Sequence, residues 1–286
     1  MPGSVVATYL FTAAASGTWY YIATAFAVNM IASSIISKSL GSQGPSTNDA
    51  TQNPGSRAQV PPAGDNKVPV VYGSAYVGGI ITDLSITSDN QKMFYVMTLA
   101  EVTNTETGGS PDTYTFGNVY WGGKKCVFGT GADTYKVVGL LDESTGVTDT
   151  TVAGKMNIYL YSNGSSSGAN TSLTAIQVMQ SSGLVYTWDG TKLMSNAAFA
   201  IVELTYNAQA NITGIQQTKF QLTNSRYKTG DCFSDYWQST RYGAGLPLSE
   251  INTTSLTELN TYGDGAFTYT TSGGGSATQD RFRFDG

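Results

Sequence analysis

Apolar and polar positions alternate along most of the chain, and the alternation starts to be regular at Lys67. Val68, Val70 and Val71 are β-branched and alternate around Pro69. Tyr72-Gly73 interrupts them, and Ala75 to Ile81 resumes the run. The stretch from Lys67 to Gly79 therefore predicts a strand, a tight glycine turn and a second strand. Pro69 has no amide to donate, which puts the first strand at a sheet edge or at its own beginning. Further strands are predicted over Met93–Val102, Lys136–Leu141, Lys155–Tyr161, Asn196–Asn207, Gln216–Leu222 and Phe267–Thr271. Phe116 to Phe128 reads as a hairpin turning at Gly122-Gly123, because paired glycines accept the positive φ of a two-residue turn. Within Asn196–Asn207, Phe199, Ile201 and Glu203 share one face, and Ala200, Val202 and Leu204 the other. A carboxylate on such a face calls for a partner.

Three stretches carry a helical period. Ser172 to Ser181 places Leu173, Ile176, Val178 and Met179 roughly on one side. Asp231 to Tyr242 spaces Cys232, Phe233, Tyr236 and Trp237 as an apolar face, closed by Gly243-Ala-Gly245 and Pro247. Thr254 to Tyr262 follows, with Thr254 as the expected N-cap.

The N-terminal part has a different pattern. From Val5 to Ser37 there is no charged residue, a length that could cross a bilayer, yet Thr8, Thr12, Ser16, Gly17, Thr18, Thr24, Asn29, Ser33 and Ser34 dilute its hydropathy. No basic segment precedes it, as a secretion signal requires. The reading kept is an apolar helix, or a helical hairpin broken at Gly17-Thr18, buried by partner subunits. Residues 39–66 are rich in Gly, Pro, Ser, Asn and Gln and read as an extended linker. The chain thus divides into a helical anchor (1–38), a linker (39–66), a β-rich domain (67–230) and a helical segment opening a further domain (231–286). The expected class is β-rich α+β with a few short helices.

Composition narrows the function. Only 12% of the 286 residues are charged and the net charge is -5, without a run of Lys or Arg, so a grip on nucleic acid is not expected. The chain has no histidine, which removes the commonest general base and metal ligand. Cys126 and Cys232 are far apart and outside any C-x-x-C. They read as buried free thiols, with a disulfide left open. Glu101, Glu106, Asp142-Glu143, Asp264 and Asp280 form no motif and read as solvated loop acids. Gly122-Gly-Lys-Lys125 leads into a strand and is not a phosphate loop. Asp89-Asn-Gln-Lys92 lacks the pattern of a calcium loop. The acceptor triplets at Asn163, Asn170, Asn211 and Asn252 are what an Asn- and Thr-rich chain yields by chance. No catalytic, cofactor-binding or metal-ligating residue is assigned, and no enzyme is expected. The 18 tyrosines and four tryptophans fit subunit interfaces.

The order of several segments adds a family. "KVPVVYGSAYVGGIITD", "MFYVMTLAEV", "FGNVYWGGKKCVF", "DYWQSTRYGAGLPLSEINTTSLTEL" and "QDRFRFDG", behind an apolar N-terminus and a tether, resemble in sequence order the start of phage tail-tip hub proteins, the lambda-type central tail-fibre or host-specificity family. The likeness covers most of residues 60–286. In that family the last motif lies well inside the protein, so a shortened hub or the front part of a longer one is expected. The resemblance implies hub domains of the tail-tube-like barrel or sandwich type and a homotrimer at the distal end of the tail in the virion. It would adapt a sixfold tube to threefold symmetry, with tail-tube and distal tail proteins, the tape measure protein and tip fibre proteins as partners. DNA would pass through its lumen unbound. Two alternatives remain: a lambda-type tail assembly protein, and a tail component whose residues 5–37 make transient contact with the host membrane during DNA entry.

Overall fold

The computed structural model describes residues 67–106, 110–166 and 168–286. The expected anchor and linker, residues 1–38 and 39–66, lie outside them. The described residues belong to one compact unit.

Two antiparallel sheets make the body. The larger has six strands in the order β1 (Ser74–Val77), β10 (Thr218–Asn224), β4 (Tyr114–Trp121), β5 (Lys124–Phe128), β6 (Val137–Asp142) and β7 (Val147–Asp149). The smaller has four: β2 (Ile80–Ile86), β3 (Lys92–Glu101), β9 (Ala197–Thr205) and β8 (Met156–Tyr161). The architecture is β-rich with open sheets, not a closed barrel. The expected hairpin is present: Gly122 and Gly123 take φ values of 54° and 84° and bring Trp121 opposite Lys124.

The two-residue side-chain period decides what packs between the sheets. Tyr95, Met97 and Leu99 of β3, Ala198, Ala200, Val202 and Leu204 of β9, and Met156, Ile158 and Leu160 of β8 face Tyr114, Val119, Trp121, Phe220 and Leu222 of the larger sheet. Each large side chain buried there stabilises the fold by about 1.5–3 kcal/mol. At one corner the chain passes from β1 to β2 through Gly78-Gly79. A Cβ on Gly79 would meet Leu99 at 2.7 Å, and φ is +71°. At another, Lys136 bridges Asn157, and the Ile158 amide donates to the Tyr135 carbonyl at 2.8 Å.

The other face of the smaller sheet is also covered. Phe94, Val96, Tyr159, Tyr161, Phe199 and Ile201 pack under α1 (Ala175–Val178), Met179 and Trp188. Trp188 is pinned by its indole N–H, which donates to Asp83 Oδ2 at 2.7 Å. The predicted helix over 172–181 is thus a single turn. Thr174 and Gln177 form a capping box at its start, and Met179 already leaves helical geometry.

Three more expectations change. Val68–Val71 is not a strand: Val70 makes one parallel bridge to Glu101, and pairing in the larger sheet begins at Ser74. Helix α3 (Thr253–Gly263) is capped by Asn252, whose side chain accepts from the Ser255 amide, not by Thr254. The strand at Phe267 is β11 (Ala266–Thr270), and it pairs with an unforeseen β12 (Ser276–Asp280) as a separate two-stranded hairpin. Cys126 and Cys232 are free and buried, which closes the disulfide question. Among the described residues no helix is long and apolar enough to cross a membrane. The expectation for residues 5–37 lies outside them.

Candidate functional site

The densest polar arrangement is centred on Asp235 of α2 (Thr229–Gln238), a carboxylate that is 3% exposed. Tyr72 and Tyr242 donate their hydroxyls to its Oδ2 at 2.6 and 2.7 Å, and the Asn104 amide donates to Oδ1 at 2.8 Å. The sequence builds this locally. Cys232, Asp235 and Ser239 recur at helical spacing and are all buried, so α2 turns its small and polar side inward. Of the expected inner face of Cys232, Phe233, Tyr236 and Trp237, Cys232 is buried and Trp237 half-buried, but Phe233 and Tyr236 are 39% and 47% exposed. The spacing of Cys232, Asp235 and Ser239 is the signal that could have located the inner face.

An ion pair adjoins it. Arg226 holds Asp112 through two bonds, Nε to Oδ2 at 2.6 Å and Nη2 to Oδ1 at 3.2 Å, and Thr103 donates to the same Oδ2 at 2.6 Å. Asn224 links this pair to the Lys67–Gly79 stretch. Its side-chain amide donates to the Val71 carbonyl at 2.7 Å and to Thr103 Oγ1 at 2.9 Å, and its Oδ1 accepts from the Arg226 amide at 3.0 Å. Tyr114 reaches the carbonyls of both Val71 and Glu101, at 3.0 and 2.9 Å. Glu101, read from sequence as a solvated acid, is buried at the end of β3 and ion-paired with Arg241. Glu106 accepts from the amide and hydroxyl of Thr240.

The last residues close the junction. The Tyr72 amide donates to the Gly286 carbonyl at 2.8 Å, the Gly286 amide returns to Tyr72 at 2.9 Å, and the Ser74 amide donates to Asp285 Oδ1 at 2.7 Å. Gly73, at φ +61°, lies so close to this strap that a Cβ would sit 2.0 Å from the Phe284 carbonyl oxygen.

Electrostatics fix the protonation states. Burial, and then the Asp235 carboxylate, push the Tyr72 and Tyr242 hydroxyls well above the usual phenol range, so both remain donors. Burial works against the charge of Arg226, but the hydrogen bond and charge of Asp112 outweigh it and raise its pKa. With three donors on Asp235 and a doubly bonded Arg226, the arrangement holds segments together.

A second polar cluster lies on the smaller sheet. Glu203, whose need for a partner was read from its position, accepts from Lys92 Nζ at 2.8 Å, Asn157 Nδ2 at 2.8 Å and the Tyr159 hydroxyl at 2.9 Å. Among the described residues no group of three His, Cys, Asp or Glu side chains is placed to hold a metal ion. In the C-terminal elements Phe233, Tyr236, Tyr262, Phe267, Tyr269 and Phe282 are each exposed, Tyr262 against Phe282 and Phe267 against Tyr269. A scan against protein-family models finds no match to the chain, and a search of curated proteins returns none.

Proposed function

We propose that this chain is a structural subunit of a phage tail tip, a trimeric hub that joins the tail tube to the distal tip and adapts sixfold to threefold symmetry. One observation carries the reading. Four of the segments on which the family resemblance rests are distant in sequence yet meet at the Asp235 junction. Tyr72 and Gly73 come from the first, Glu101 from the second, Asp235, Arg241 and Tyr242 from the fourth, and Phe284 to Gly286 from the last. Residue types that recur in order in a family and also touch in space have a physical reason to recur together. A clamp that ties Tyr72–Ser74 to Phe284–Gly286 is such a reason.

The surface fits the same role. A weakly charged chain with aromatic side chains outward suits burial between subunits. A threefold ring can match six positions if each subunit offers two β modules, and the two sheets of the sandwich are candidates for them. The finer, tail-tube-like character of the fold belongs to this proposal. So do the partners: neighbouring copies, tail-tube and distal tail proteins, the tape measure protein and fibre proteins. With a net charge of -5, the lumen would let DNA pass without holding it.

The deciding experiment combines mass photometry of the purified chain with a reconstruction of the tail from which it comes. A trimer in solution and threefold density at the distal end are expected. A stable monomer, or a sixfold position along the tube, would refute the reading.

A further inference from the structure

Where β2 turns into β3, beside the loop that follows β9, the chain encloses a cavity of about 70 Å³. The ends of β2 and β3 supply Ile86 and Met93 as apolar walls, and the end of β9 and its loop supply Leu204 and Ile212. Backbone hydrogen bonds fix both loops. The Thr87 amide donates to the Lys92 carbonyl at 2.9 Å, and Asn207 and Ile212 exchange two bonds of 2.9 Å. The Tyr206 amide then ties one loop to the other through the Gln91 carbonyl at 2.8 Å. A pocket framed in this way is formed before any ligand arrives.

Tyr95 of β3 also lines the cavity and is only 2% exposed. Its hydroxyl finds no acceptor among the described residues. The Ile215 amide nearby is itself a donor and cannot take the hydroxyl's proton. Burial pushes the hydroxyl up to about 12, so it remains a donor at neutral pH. Gly214, another wall residue, leaves room beside it: a Cβ there would meet nothing nearer than the hydroxyl oxygen, at 4.0 Å. A buried donor without an acceptor is costly and calls for an occupant. Water is a poor one, because a buried water needs about three polar partners and these side-chain walls are mostly apolar.

Size and chemistry narrow the occupant. A dry apolar cavity of about 150 Å³ holds benzene, so this one suits roughly three or four heavy atoms. They must present an apolar surface to the walls and one acceptor to Tyr95. An acetamido group does both, through its methyl and its carbonyl oxygen, whereas a carboxylate of the same size would lose its hydration here. The rim says what carries that group. Tyr206 lines the cavity and is 55% exposed, and Asn90, Gln91 and Thr213 around it are exposed as well. An open aromatic ring among amides and a hydroxyl matches a pyranose, which has an apolar C–H face and hydroxyls along its edge. We propose that this cavity binds the acetamido group of an N-acetylated amino sugar. Tyr95 donates to the carbonyl oxygen, and the Tyr206 ring lies against the face of the sugar.

The test is saturation-transfer NMR on the full chain with N-acetylglucosamine, its tetramer, glucosamine and glucose. The strongest transfer is expected at the acetyl methyl, with little to glucosamine or glucose. Tyr95→Phe should weaken binding about 3- to 10-fold. Its melting temperature should stay level or rise, because the substitution removes an unpartnered donor. Gly214→Ala has room for its methyl inside the cavity and should abolish the acetyl signal. Tyr206→Ser should lower transfer to the ring protons and leave the methyl signal strongest. Tighter binding of the tetramer would assign the site to a glycan chain, and equal binding to the single sugar. No transfer from N-acetylglucosamine, or equal transfer from glucose, overturns the proposal. So does an acetyl signal that survives Gly214→Ala. A clear drop in melting temperature for Tyr95→Phe would show the hydroxyl already bonded within the fold, and an acetyl-lysine peptide that binds as tightly as the sugar would refute the sugar assignment.

Discussion

At Asp235 a single carboxylate satisfies three donors from three segments, so its removal takes their acceptor from the Tyr72 and Tyr242 hydroxyls. Asp235→Ala should cost about 2–4 kcal/mol in urea denaturation. A loss under about 0.5 kcal/mol would show that the junction is not a keystone. The helical spacing of Cys232, Asp235 and Ser239 carried the signal for this residue, but an Asp in an amphipathic helix is ordinarily assigned to water and the neighbouring aromatics looked like the buried face. Glu203 was legible for the opposite reason: strand periodicity placed it among apolar neighbours, where an unpaired charge is too costly to leave. Proton linkage acts at the same scale. Burial pushes the thiols of Cys126 and Cys232 up to about 12 from 9.0, and burial likewise raises Tyr95 to about 12 from 10.0. The folded state thus keeps protons that the unfolded chain releases, and stability is full below pH 9.0. It should decline as pH rises from there toward about 12. Thermal unfolding across that window checks the sign. A melting temperature that does not fall would contradict the burial of these groups.

At the scale of elements, the strap of residues 282–286 against Tyr72–Ser74 depends on Gly73. Both the positive φ and the space are unavailable to other residues there. Gly73→Ala should destabilise by about 1–3 kcal/mol and should speed proteolysis within residues 264–286. Unchanged cleavage there would mean that the strap holds nothing. The β11–β12 hairpin stands apart from both cores, with Phe267 and Tyr269 stacked 6.4 Å apart and exposed. A lone hairpin is marginal in water. Phe267→Ser with Tyr269→Ser should shift stability by no more than about 0.5 kcal/mol while weakening self-association in sedimentation. Association equal to that of the unsubstituted chain would take the hairpin out of the interface. Most strands were readable because alternation survives wherever one face is buried. Val68–Val71 misled because its backbone is held by single hydrogen bonds, the Pro69 carbonyl accepting from the Glu101 amide and the Val71 carbonyl from Asn224, not by pairing in a ladder. The helix at 172–181 misled because its period continues after the backbone has turned to bring Trp188 onto the sheet.

For the whole molecule, a fragment spanning 57–286 should fold without the preceding residues, since it forms one compact unit. A single cooperative transition and a β-rich circular dichroism spectrum are expected, and a collapsed state without near-ultraviolet signal would argue otherwise. The layered architecture was legible only as a class, because which strands become neighbours depends on contacts between distant segments. Those same contacts have a cost in time. Strand β9 is the central partner of β3, yet it is separated from β3 by the whole of residues 102–196. Strand β10 likewise waits to fill the place between β1 and β4. At a synthesis rate of about 5–20 residues per second, the apolar strand β3 stands without that partner for roughly 5–20 s. During that interval every nascent chain offers its neighbours a sticky, half-built sheet. The protein's yield in a cell is therefore set as much by how closely ribosomes follow one another as by the stability of the finished fold.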